Sequence, residues 1–126
     1  MNRLCALLVL TFVTGCATIN RIPMDARVRV EDGREPIETV EISNTCWHFL
    51  SFLPVASGNP DNPNGFGCCC FRNTLTLGNQ FRMLKKEAER VGAGRVLDVT
   101  TLTTDETCFF ILFLREKIHT SAVLAK

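Results

Sequence analysis

The chain has 126 residues, with 14 Lys and Arg against 13 Asp and Glu and a formal net charge of +1 at pH 7. That length allows one small domain with a modest core. A near-zero charge with no long like-charge block excludes the electrostatic footprint of a nucleic-acid-binding protein.

Residues 4–16 read LCALLVLTFVTGC behind a single Arg3. A short positive start, an apolar stretch of about ten residues and a small-residue end are the marks of a secretory signal, and the stretch is too short to span a bilayer core of about 30 Å. The closing Val13-Thr14-Gly15-Cys16 resembles the lipobox of bacterial lipoproteins. The resemblance implies a diacylglyceryl group on the Cys16 thiol, cleavage after residue 15 and acylation of the new amino terminus. Two or more acyl chains hold a protein stably on a membrane. Ala17 is not the Asp that signals inner-membrane retention in enterobacteria, so by this analogy the periplasmic face of the outer membrane is the expected location. Losing Arg3 with the signal leaves the mature chain formally neutral.

Residues 16–26 have no clear period and include Pro23, and are expected to form a tether; ten residues reach at most about 35 Å. A single domain is expected over residues 27–126. Val28 and Val30 alternate with charged residues, Asp32-Gly33 marks a turn, and Val40 and Ile42 alternate with polar ones, which predicts two half-exposed strands. Residues 47–55 form an apolar aromatic run of neither period. Its Trp47, Phe49, Phe52 and Leu53 are expected in the core, the alternative being an exposed patch against a membrane or partner. Residues 57–67, rich in Gly, Pro and Asn, predict a surface loop.

Leu77, Phe81, Leu84, Ala88 and Val91 recur at intervals of three and four and predict an amphipathic helix over residues 73–91. Asn73 or Thr74 can cap its start, and Gly92 or Gly94 can end it. Lys85, Lys86 and Arg90 then suit the negative end of the helix dipole. A strand is expected over residues 95–103, a turn at Thr104-Asp105-Glu106, an apolar strand over residues 108–114, and a separate last strand over residues 118–124, the alternative being one long bent strand. The order predicts a small α+β domain, one amphipathic helix packed on a mainly antiparallel sheet of about four or five strands. Val91-Gly92-Ala93-Gly94-Arg95-Val96 and Ile118-His119-Thr120-Ser121-Ala122-Val123 resemble the helix-to-strand junction and last strand of the small TRL-like bacterial lipoproteins. That likeness implies location and fold and carries no catalytic residues.

With Cys5 in the signal and Cys16 lipidated, Cys46, Cys68, Cys69, Cys70 and Cys108 remain. In an oxidising envelope these are disulfide candidates, their odd number leaving one thiol over. Adjacent cysteines pair only with strain, so the triplet is expected to pair with Cys46 or Cys108, a link from Cys46 to one of its members being preferred. The alternative is a metal or thiol-redox site of Cys46, His48, Cys68 and Cys70, a tetrahedral set suited to zinc or a soft metal but without the spacing of structural zinc sites. His119 is expected on the polar side of its strand. There is no HExxH, no G-x-S-x-G and no phosphate-binding glycine loop. The expected function is therefore that of a non-enzymatic envelope lipoprotein. It needs no cofactor beyond its lipid, and its partners are the membrane and an envelope protein.

Overall fold

Alternation of Val40, Ile42, Asn44, Cys46 and His48 with Glu41, Ser43 and Trp47 yields β2 (Pro36–Phe49), whose even-numbered side chains from Val40 onward are buried on one face. β6 (Phe113–Ala125) runs antiparallel along all of it, from Ala125 opposite Pro36 to Phe113 opposite Phe49. The other edge of β2 is shared end to end. β1 (Ala17–Pro23) pairs with residues 38–44 and β3 (Leu53–Gly58) with residues 46–49. β4 (Cys68–Cys70) flanks β3, and β5 (Arg95–Cys108) flanks β6, so the six strands form one antiparallel sheet. The computed structural model describes residues 17–24, 35–65, 68–108 and 112–126, without the side chains of Cys68 and Cys108. The candidate lipidation site Cys16 and the strand expected around Val28 and Val30 lie outside the described residues.

One helix, α1 (Leu77–Val91), covers one face of this sheet. Met83, Leu84 and Ala88 pack on Ala17 and Ile19 of β1, Val40 and Ile42 of β2, and Ala122 and Leu124 of β6. Each large apolar side chain buried in this layer contributes roughly 1.5–3 kcal/mol. The Thr76 hydroxyl caps the start by accepting from the Asn79 N–H at 3.2 Å. Gly92, with φ of 68°, ends the helix, its N–H and that of Ala93 satisfying the last carbonyls.

Several expectations are corrected. Six strands occur among the described residues where four or five were expected: the segment expected as a tether is largely β1, with Ala17 and Ile19 in the core, and β3 and β4 arise in the aromatic run and the cysteine triplet. Thr76, not Asn73 or Thr74, is the N-cap. The buried helix face is Gln80, Met83, Leu84, Glu87 and Ala88, leaving Leu77 and Phe81 half exposed. Residues 104–106 do not turn: Thr104, Asp105 and Glu106 lie opposite Lys117, Glu116 and Arg115, and the Arg115 guanidinium reaches Glu106 at 3.2 Å. The C-terminal segment is one long strand, β6, because the full ladder with β2 holds it through Arg115 and Glu116.

Candidate functional site

The densest cluster of reactive side chains sits on the helix-side face, beyond the end of α1. Cys46 and His48 project from β2 on the same side, as the two-residue period of a strand requires, and Glu116 lies directly opposite Cys46 on β6. The Cys46 Sγ is 3.6 Å from His48 Nε2, and His48 Nδ1 is 4.0 Å from Glu116 Oε2. The second distance is too long for a hydrogen bond, and the buried Nδ1 has no hydrogen-bond partner among the described residues. Cys46 is fully buried, and that burial, with the Glu116 charge adding, pushes its thiol up from an ordinary 9.0 to about 11. The order thiol, imidazole, carboxylate thus holds a protonated thiol out of solvent. An activated nucleophile needs a depressed pKa and access, and this thiol has neither.

The cysteine triplet is divided between the two faces of the sheet. Cys46 pairs with Ser57, and Ser57 pairs with Cys69, so β3 stands between the two cysteines. Two strand spacings are about 10 Å, well over the disulfide limit of about 7 Å between alpha carbons. Cys46 and Cys69 carry free thiols, which corrects the preferred bridge from Cys46 to the triplet for that member. Cys70 pairs with Ala56, which faces the same way as Trp47, and so lies on the opposite face from Cys46. Of the set Cys46, His48, Cys68 and Cys70, the first two are therefore brought together and Cys70 is not, while the side chain of Cys68 lies outside the described residues. No group of three or more potential metal ligands occurs among the described residues.

Asn44, Ser57 and the former cap candidate Thr74, none of them marked as a site by the sequence, form a polar network between β3 and the helix. The Thr74 hydroxyl lies 2.9 Å from Ser57 Oγ and 2.6 Å from the Gly58 carbonyl. The Asn44 amide donates to the Thr74 carbonyl at 3.2 Å, and Ser57 Oγ donates to the Arg72 carbonyl at 2.6 Å. All three side chains are buried, and the network ties β2, β3 and the approach to α1 together. Only long-range register brings them together, so no local pattern could have found them. On the open face His119 is half buried and its Nδ1 pairs with Ser43 Oγ at 2.9 Å.

The aromatic run is divided as well. Trp47 is half buried on the open face, with the Arg115 guanidinium 5.7 Å from its ring, and Phe49 meets Phe113 at 5.4 Å between ring centres. Phe52 and Leu53 are exposed, which corrects their expected place in the core. Leu50 and Ser51 turn the chain with φ of 51° and 65°, the left-handed region usual in tight hairpin turns and ordinarily filled by Asn and Gly. The turn aims Leu50 and Phe52 outward, and the Leu50 N–H donates to the Leu112 carbonyl at 2.8 Å, joining it to the turn before β6. Leu112 and Phe71 are exposed as well.

A second apolar surface is a groove of about 390 Å³ between α1 and β5, floored by Leu84, Ala88 and Val96 and edged by Phe81 and Val99. Among the described residues no helix is long and apolar enough to cross a membrane. No family model matches the chain, and neither the curated proteins nor the solved structures yield a match.

Proposed function

We propose that the chain is a bacterial envelope lipoprotein, anchored through lipid on Cys16 after removal of residues 1–15, whose α+β domain is a non-enzymatic structural or interaction module on the periplasmic face of the outer membrane. The observation that carries this is the sequence LCALLVLTFVTGC behind Arg3, ending in Val13-Thr14-Gly15-Cys16. The chemistry at Cys46 is consistent with a module of this kind: the thiol beside His48 is buried and held protonated. The test is Cys16→Ser in a lipidating host. The variant is expected to lose both incorporation of labelled palmitate and sedimentation with membranes; unchanged membrane fractionation would overturn the anchor.

A metal-binding or thiol-redox protein is the second reading, favoured by the 3.6 Å approach of Cys46 Sγ to His48 Nε2. Elemental analysis of anaerobically purified protein tests it. A stoichiometric transition metal that is lost on Cys46→Ser would support it over the first reading.

A further inference from the structure

The face of the sheet opposite α1 carries two cations side by side on β6. Arg115 and Lys117 point to the same side as Trp47, since Trp47 lies opposite Arg115 and Thr45 opposite Lys117 on β2. On the other flank β5 sets Glu106 opposite Arg115 and Thr104 opposite Lys117. Two-residue spacing holds the alpha carbons of the two cations about 7 Å apart. Among the described residues one carboxylate, Glu106, reaches this pair, and it reaches Arg115 alone. Lys117 is only partly exposed, yet it makes no hydrogen bond or ion pair with any described residue. Arg115 is under-used as well: its Nη1 donates to Glu106 at 3.2 Å, while its Nε, shut off from solvent, has no acceptor among them. Thr104, Glu106, Arg115 and Lys117 line a recess of about 140 Å³ where β5 meets β6.

Neighbouring like charges on one face of a sheet destabilise it. A fold that still draws a second cation into the sheet without a counter-charge breaks a local rule, and such breaks fall at functional or strained sites. The donors present select the ligand. A guanidinium fork meets two oxygens of a phosphate or carboxylate side by side, and an ammonium adds charge without demanding a direction. Glu106 has 62% of its side chain in solvent and is free to swing away, which leaves two positive charges for a dianion. A phosphate monoester approaches that charge near neutral pH. A carboxylate, with one charge and two oxygens, would engage only one of the cations.

We propose that this recess binds a terminal phosphate group, free or carried as a monoester. Arg115 and Lys117 hold its oxygens, and the Thr104 hydroxyl donates to it. The site is independent of the lipid on Cys16 and of Cys46 and His48, which lie on the other face of the sheet. The Arg115 guanidinium also lies 5.7 Å from the ring of Trp47, the one tryptophan of the chain, so its turn from Glu106 toward the ligand alters Trp47 emission.

The test is equilibrium dialysis of the full chain against radiolabelled inorganic phosphate at constant ionic strength, with Trp47 emission followed in parallel. Expected is saturable binding, half complete at or below about 1 mM, with a change in emission over the same range. Lys117→Gln leaves Trp47 untouched and is expected to weaken binding about tenfold or more, with an unchanged urea midpoint as the check on folding. Lys117→Arg should retain binding, and Lys85→Gln, on an exposed position of α1, should not alter it. Acetate should compete about tenfold less well than phosphate or worse. No saturable binding up to about 10 mM phosphate would overturn the proposal. So would binding that Lys117→Gln leaves intact, which places the ion elsewhere, or equal competition by acetate, which makes the recess a general anion patch. Competition by glycerol phosphate or by vesicles of phosphatidic acid distinguishes a soluble ester from a lipid-borne one, and either result upholds the site.

Discussion

Arg21 grips Glu87 with both arms of its guanidinium, Nε at 2.8 Å from Oε2 and Nη2 at 2.9 Å from Oε1, and so bolts β1 to α1. Arg90 donates its Nε to the same Oε2 at 2.8 Å and reaches Glu38 of β2 with Nη2. Glu87, on the buried face of α1, is the junction of three elements. Hydrogen bonds to charged groups contribute about 1.5–3 kcal/mol each. Glu87→Gln is therefore expected to cost about 2 kcal/mol in urea unfolding at pH 7.

The same junction sets an acid limit. The Arg21 hydrogen bonds, opposed by burial and reinforced by Arg90, hold the Glu87 carboxyl below its ordinary 4.5. A lowered folded pKa means that this stabilisation is present above the unfolded value and lost as pH falls through the folded one. Urea midpoints measured from pH 6 downward should therefore fall below pH 4.5 more steeply for the wild type than for Glu87→Gln. Parallel curves would dismiss Glu87 as the titrating group.

Cys46 sets an alkaline limit of opposite sign. Its folded pKa of about 11 lies above the ordinary 9.0, so the stability it confers is intact below pH 9 and is lost as pH rises through 11. Cys46→Ser should flatten that decline. At pH 8 the depressed thiolate fraction alone slows alkylation of Cys46 on the order of 100-fold relative to the denatured chain. Mass-resolved iodoacetamide labelling checks this, and labelling of Cys46 at the rate seen in urea would contradict it.

The ends of α1 make a third test. Thr76→Ala removes the hydroxyl that accepts from Asn79 and should cost about 1 kcal/mol. Gly92→Ala meets no atom within 4 Å, so its cost, again about 1 kcal/mol, comes from φ of 68° alone. Thermal unfolding should rank both below Gly78→Ala, a helical position with open space around the added methyl, which is expected to stabilise.

Asn64 acts as a one-residue strand. Its Oδ1 accepts from the Ile19 N–H and its Nδ2 donates to the Ile19 carbonyl, both at 2.9 Å, while its own N–H donates to the Ala17 carbonyl at 2.8 Å. Asn64→Ala bares the outer edge of β1 and should cost about 2 kcal/mol. Hydrogen exchange should speed up at the Ile19 amide but not at Ile42.

Local pattern made some elements legible and missed others for definable reasons. Val40 and Ile42 announced β2, and Leu84 and Ala88 announced α1, because one buried face leaves a period in the sequence. Phe81 misled the helix reading because Gln80 and Glu87 occupy the buried face instead, and Glu87 is acceptable there only through Arg21, 66 residues away. Thr104, Asp105 and Glu106 looked like a turn because a solvated outer strand is as polar as one. The two-residue spacing of Cys46 and His48 puts both on one side of a strand, but Glu116 joins them through β2–β6 register, which leaves no mark on either segment. The triplet was separated from Cys46 for the same reason, by the interposed Ser57.

Because Ala17 is already a core residue in β1, the fold has no slack on its amino-terminal side. Tension applied at Cys16 along the strand axis is met by the whole seven-residue ladder between β1 and β2 in shear, with the Asn64 contacts loaded at the same time. Bonds strained together resist a pull far better than bonds peeled one by one. With the proposed lipid on Cys16, movement of the attachment point would be passed through β1 to the sheet.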